Sequence, residues 1–170
     1  VVTDLASQLP NLKTFSTLSP IPGFTDWLKG RAAELDLKET ELQLVEMISA
    51  DQGMSEEVTA LITGEGSEEK DEANRAREFK NLLLRLCAHY LLEVKRNDQT
   101  WDRVAHFHLS NGAQIKQINW GANTSPAGIG QSAGMMVNYL YDLSAIEKNH
   151  EAYSGTGSIS ATAAVKKLLK

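Results

Sequence analysis

The strongest periodic signal in the chain falls in residues 73–96. Phe79, Leu82, Leu83, Leu86, Cys87, Tyr90, Leu91 and Val94 recur at helical spacing and form one apolar stripe. That stripe predicts a long, well-buried helix. Phe24, Trp27, Leu28, Arg31 and Leu35 follow the same period after a turn enforced by Pro20, Pro22 and Gly23, and Thr25 or Asp26 can open that helix. Two shorter helices are predicted over 39–50 and 55–63, with Ser55 as an N-cap and Glu56 and Glu57 at the positive end of the dipole. Val1, Val2, Leu5 and Leu9 share a helical face that Pro10 ends. The chain therefore reads as opening on the last turns of a helix, and a fragment or processed piece of a longer polypeptide is expected.

Other segments alternate with period two. Residues 13–18, KTFSTL, are β-branched and aromatic and predict a strand. Residues 113–120, centred on Ile115 and Ile118, predict a second with imperfect alternation. Residues 134–143 alternate better, and Met135, Val137, Tyr139 and Tyr141 share one face. The glycine-rich stretch 123–134 reads as a flexible loop, and 64–72 as an exposed acidic one. The tail 160–170 predicts a helix with a hydroxyl start and a basic end. No internal repeat is present. Helix, strand, several helices, two strands and a helix give an α/β (α+β) fold, its sheet assembled from segments far apart in the chain.

Composition narrows the function classes. At 170 residues the chain makes one domain. A domain of this size buries about 70% of its unfolded surface and needs no staples. Apolar residues at 42% and charged residues at 23% exclude a disordered tail and a fibre. No apolar run approaches the roughly 18 residues of a membrane span. Seventeen basic against twenty-two acidic side chains give a net charge of −5, which disfavours general nucleic-acid binding but leaves room for a basic pocket. The lone Cys87 and the lack of a basic-then-apolar opening fit a reducing, cytoplasmic location.

Three segments could carry chemistry. In Thr17-Leu18-Ser19-Pro20-Ile21-Pro22-Gly23, Ser19 ends a strand between prolines. It is either a rigidly presented hydroxyl at a strand end, where active sites gather, or a residue that shapes the turn. The segment is not G-x-S-x-G, so a hydrolase elbow is unsupported. In Ala105-His106-Phe107-His108-Leu109-Ser110-Asn111-Gly112, the two histidines could serve a metal, catalysis or structure. A third metal ligand is hard to find, since Cys87 and His89 belong to the buried stripe and His150 to a polar tail segment. Gly128-Ile129-Gly130-Gln131-Ser132-Ala133-Gly134 resembles a phosphate loop only loosely, because the spacing is wrong and a strand follows. Tyr139 and Tyr141 serve packing or, at a strand end, donation to an oxyanion.

Taken together, FSTLSPIPGFTDWL, LLRLCAHYLL, VAHFHLSNGAQIKQINWGAN and GIGQSAGMMVNYLYDL resemble the C-terminal half of the malonyl-CoA decarboxylases, in the same order. The resemblance covers most of residues 10–143, and SPIPGF and FHLSNGA are its distinctive parts. It implies decarboxylation of malonyl-CoA to acetyl-CoA and CO2, without metal, biotin or another prosthetic group. It also implies that residues 1–170 are the C-terminal portion of a GNAT acetyltransferase-like mixed sheet with a helical insertion. An upstream helical domain and the front half of the catalytic domain, with its pyrophosphate turn and an orienting acidic residue, would then be absent.

By the same resemblance the catalytic serine is Ser19 and the catalytic histidine is His108 rather than His106. Tyr141 is the assisting tyrosine, and coenzyme A contacts are unassigned. The implied partners are malonyl-CoA and the N-terminal remainder of the protein, with a homo-oligomer expected and neither nucleic acid nor membrane. Losing CO2 leaves negative charge on the thioester oxygen, so donors there favour the transition state and an acid must protonate the enolate carbon. Two alternatives stand beside this reading: an acyl-CoA-binding or acyltransferase-like protein on the same fold, and a non-catalytic module that binds a partner through the helices of 24–96.

Overall fold

In a computed structural model, residues 4, 7–9, 11–49, 55–65 and 69–170 are described. Val1, Val2, Leu5 and Pro10, on which the expected opening helix rests, lie outside them. In chain order the elements begin with β1 (Thr14–Pro20), α1 (Phe24–Arg31), a 3-10 turn (Ala32–Glu34), α2 (Glu39–Ser49), α3 (Glu56–Thr63) and α4 (Lys70–Leu92). There follow β2 (Lys95–Arg96), β3 (Gln99–Thr100), α5 (Arg103–Ser110), β4 (Gln114–Asn119), α6 (Pro126–Ser132), β5 (Met136–Asp142), α7 (Ile146–Thr156) and α8 (Ala163–Lys167). This is a mixed α/β architecture.

The alternating segments form one antiparallel sheet in the order β1-β5-β4. On β5, Val137, Tyr139 and Tyr141 turn inward as their period requires. Strand β1 runs two residues beyond the expected 13–18, so Ser19 pairs with Val137 and Pro20 with Met136. Pro20 is tolerated because it ends an outer strand. The uneven alternation of β4 has a cause: the register shifts between Ile115 and Gln117. The extra residue of this bulge lets Ile115 and Ile118 both face the core. Beyond β4, Ile115 makes a parallel bridge to Ala161.

The stripe of α4 is buried from Phe79 to Leu91, with Val94 half-buried past the helix end. Against it lies α1, whose Phe24 and Trp27 rings sit 5.8 and 5.0 Å from Tyr90. Gly23 caps α1 without any side-chain bond, so neither Thr25 nor Asp26 opens it. The Thr25 hydroxyl instead donates to the Gly130 and Gln131 carbonyls, at 2.5 and 3.0 Å. Ser55 caps α3 as expected, accepting from the Val58 amide at 3.2 Å.

The glycine-rich stretch expected to be a flexible loop is largely helix α6. Ser125 caps it, accepting from the Gly128 amide at 3.1 Å, and Pro126 fills the first turn, where its missing N–H costs nothing. Gly128 serves close packing rather than flexibility, since a Cβ there would collide with Asn123. Two further helices, α5 and α7, and the β2–β3 hairpin were not anticipated. The hairpin turns on Asn97 and Asp98, whose φ values of 52° and 63° suit a two-residue turn. Among the described residues no helix is long and apolar enough to cross a membrane.

Candidate active site

Ser19, His108 and Tyr141 come from three separate elements and meet. Ser19 is the last inward-facing residue of β1, as the alternation of Phe15, Thr17 and Ser19 dictates. Tyr141 stands on the inner face of β5. His108 lies in the last turn of α5, whose start is fixed by Asp102; one carboxylate oxygen accepts from the Val104 and Ala105 amides at 3.0 and 2.9 Å. The imidazole bridges the other two residues. Its Nε2 is 3.0 Å from Ser19 Oγ and its Nδ1 is 2.7 Å from the Tyr141 hydroxyl. The ring stacks on Tyr139 with centroids 4.2 Å apart and planes 17° from parallel. Thr17 Oγ1 lies 3.2 Å from Ser19 Oγ.

Burial sets the electrostatics. Ser19, His108 and Tyr141 are each less than a tenth exposed. Desolvation holds the His108 pKa below its ordinary value and the Tyr141 pKa above its own. Both groups are therefore neutral near pH 7, and the cluster has two proton arrangements. In one, the Tyr141 phenol donates to Nδ1 and Nε2–H donates to Ser19 Oγ. Thr17 can then donate to the other lone pair of Ser19, and the serine proton points out of the cluster as an acid. In the other, Nδ1–H donates to Tyr141 and Nε2 accepts from Ser19, which makes His108 a base.

His106 faces elsewhere. Two residues on a helix are about 200° apart, so the pair diverges. The Tyr153 hydroxyl accepts from the Thr100 amide at 3.2 Å and lies 2.9 Å from His106 Nδ1. Ser110 Oγ lies 3.5 Å from His106 Nε2. His106 thus ties α5 to α7 and β3. Among the described residues no three His, Cys, Asp or Glu side chains gather as a metal set. Cys87 is buried and its thiol pKa is pushed far up by desolvation, so it is no nucleophile.

Sequence reasoning missed the roles of Asp102, Tyr139 and Thr17. For Asp102 a signal existed: an aspartate directly before the run Val104 to Leu109 has the form of an N-cap. The stacking of Tyr139 on His108 joins segments remote in the chain and has no local signature.

Residues 1–170 match the family model for the malonyl-CoA decarboxylase C-terminal domain. The mitochondrial malonyl-CoA decarboxylase of Anser anser anser is 41% identical over 170 residues, which cover 95% of this chain and 33% of that protein. That of Rattus norvegicus is 36% identical, covering 99% and 35%. A crystal structure of malonyl-CoA decarboxylase from Rhodopseudomonas palustris superposes with a TM-score of 0.76 at 40% identity, over 98% of this chain and 36% of that one. Its counterpart from Agrobacterium vitis gives 0.75 at 35% identity, over 99% and 39%. The chain thus spans about a third of the length of the curated relatives it matches.

Proposed function

The chain belongs to the malonyl-CoA decarboxylase family, and from that membership we propose that it carries the catalytic centre for converting malonyl-CoA to acetyl-CoA and CO2. The observation that carries this reading is the continuous chain Tyr141–His108–Ser19, with contacts of 2.7 and 3.0 Å.

In this mechanism the bond between the malonyl carboxylate carbon and the α-carbon breaks. CO2 leaves, and the electron pair spreads over the α-carbon and the thioester oxygen. The outward proton of Ser19 stabilises that developing charge and is transferred to the α-carbon, giving acetyl-CoA. His108 Nε2–H returns a proton to Ser19 Oγ, and solvent restores the imidazole. One proton is consumed per turnover. Tyr141 holds the ring in the donating tautomer. Preorganised donors of this kind act more strongly on the transition state than on the ground state. The scheme requires no metal, biotin or other prosthetic group and no covalent serine intermediate.

In this reading the chain is the C-terminal part of a GNAT-like catalytic domain. The support is β1, which bears Ser19 and stands outermost in its sheet among the described residues. The rest of the polypeptide would pair there and contribute the coenzyme A contacts. Residues 1–170 alone should then release no CO2, and the intact protein should be a homo-oligomer. Cys87, the one cysteine of residues 1–170, fits a reducing compartment, and cell fractionation tests whether that is the cytoplasm.

The decisive experiment is CO2 release from malonyl-CoA by the intact protein with no acyl acceptor present. Ser19→Ala and His108→Asn should each lower it about 10²–10⁴-fold with the fold retained. His106→Asn should have a much milder effect. Turnover that requires an acceptor would favour an acyltransferase. An essential His106 would show that the wrong histidine has been assigned.

A further inference from the structure

Asp102 is a carboxylate only 1% exposed, and both its oxygens are engaged. Oδ1 caps the helix that carries His108. Oδ2 accepts from the Tyr90 hydroxyl at 3.3 Å, and the Gly23 turn packs closely against that hydroxyl. Gly23 belongs to the turn that follows Ser19. A Cβ at Gly23 would lie 2.6 Å from the Tyr90 oxygen, so glycine lets the turn approach the hydroxyl that donates to Oδ2. One buried side chain therefore joins the helix of His108 to the long helix, on whose Tyr90 the turn behind Ser19 rests.

We propose that Asp102 is a positioning residue for the reaction, its carboxylate tying the start of α5 to Tyr90, against which the turn after β1 packs, and so holding Ser19 and His108 at hydrogen-bond distance. This rests on the decarboxylase reading. The physical case is geometric. His108 and Ser19 sit on elements whose mutual placement depends on few direct polar links. A misplacement of about 1 Å can cost 10²-fold in rate. Three donors converge on Asp102, the Val104 and Ala105 amides and the Tyr90 hydroxyl. Charge-assisted bonds of this kind are about twice as strong as neutral ones, and a group that caps and bridges at once constrains both elements. Desolvation raises the Asp102 pKa, and the donors act against that shift in favour of the ionised form.

The test separates bridge from cap. In the intact protein, Asp102→Asn keeps an oxygen for the N-cap, where asparagine and aspartate are equivalent. It places an NH2 where Tyr90 donates. The expected result is a kcat lowered about 10²-fold, with KM for malonyl-CoA within about threefold of wild type and displaced imidazole ¹⁵N signals of His108. Tyr90→Phe keeps carboxylate and cap, and should lower kcat about tenfold in the same pattern. Wild-type kcat in a folded Asp102→Asn, or a loss confined to KM, overturns the proposal. Should Asp102→Asn fail to fold, wild-type kcat in Tyr90→Phe overturns it equally. The NMR arm does not depend on turnover. If the wild type releases no CO2, the functional reading fails by itself, and unmoved His108 signals in Asp102→Asn would then overturn the positioning role separately.

Discussion

Replacing Tyr141 by phenylalanine removes one oxygen and leaves the ring that fills the inner face of β5. The phenol lies 2.7 Å from Nδ1 of His108, and both groups are buried. Without it Nδ1 loses its hydrogen-bond partner in a site less than a tenth exposed. A buried polar group left unsatisfied costs about 1–3 kcal/mol. If that bond fixes the tautomer that places a proton on Nε2, the same energy appears in the barrier. At 1.36 kcal/mol per decade, kcat should fall roughly 5–150-fold. The assay is CO2 release from malonyl-CoA by the intact protein, run as a double-mutant cycle. Tyr141 is held to act through His108 alone, so Tyr141→Phe should change nothing further in a His108→Asn background. The coupling energy should then equal the whole single-mutant effect. Additive losses would mean that Tyr141 meets the substrate directly. An unchanged kcat in the single variant would refute its role altogether.

The pH dependence follows from the burial of His108. Its pKa is lowered from the ordinary 6.5, so the acid limb of kcat/KM should lie below 6.5, and a limb above it would contradict the buried neutral imidazole. The same shift has a stability sign. As pH falls through 6.5 the unfolded chain binds a proton before the folded state does, so stability declines until the folded pKa is reached, and His108→Asn should flatten that decline in thermal melts. Activity should survive exhaustive chelation, because His106 and His108 engage different partners; stoichiometric zinc lost together with activity would refute this. Gly128→Ala should lower stability by about 1–3 kcal/mol through overpacking against Asn123, read as a reduced melting temperature, and an unchanged melt would show that the contact can relax.

Where apolar period alone decides, the chain could be read directly. The stripe from Phe79 to Leu91 became the buried face of α4, and Val137, Tyr139 and Tyr141 became the inner face of β5. Ser19 and His108 are singled out only by the resemblance carried by SPIPGF and FHLSNGA, because neither segment specifies chemistry by spacing. What escaped notice was set by capping and by tertiary contact. Residues 123–134 were misread because Gly128 and Gly130 suggested flexibility, whereas the Ser125 cap and Pro126 outweigh them once Asn123 requires a small neighbour. Helix α5 is only eight residues long, and its decisive residue, Asp102, precedes it. The Tyr139–His108 stack and the bond from Tyr90 to Asp102 exist only after folding.

Strand β1 is made early and matched late. The Asn138 side chain reaches the Thr17 carbonyl across 121 positions of chain. At about 5–20 residues per second of synthesis, β1 waits on the order of 6–24 s for β5 to leave the ribosome. Until then the edge of β1 that pairs with β5 is open, and Leu18, still 52% exposed in the folded chain, adds an apolar side chain beside it. Such an edge recruits other chains. Pairings this distant also close slowly, because loop entropy is lost before any contact offsets it. Production of this protein should therefore be limited by the nascent chain rather than by the finished fold. Slower translation after residue 20 would lengthen the vulnerable interval and lower soluble yield without altering a single native contact.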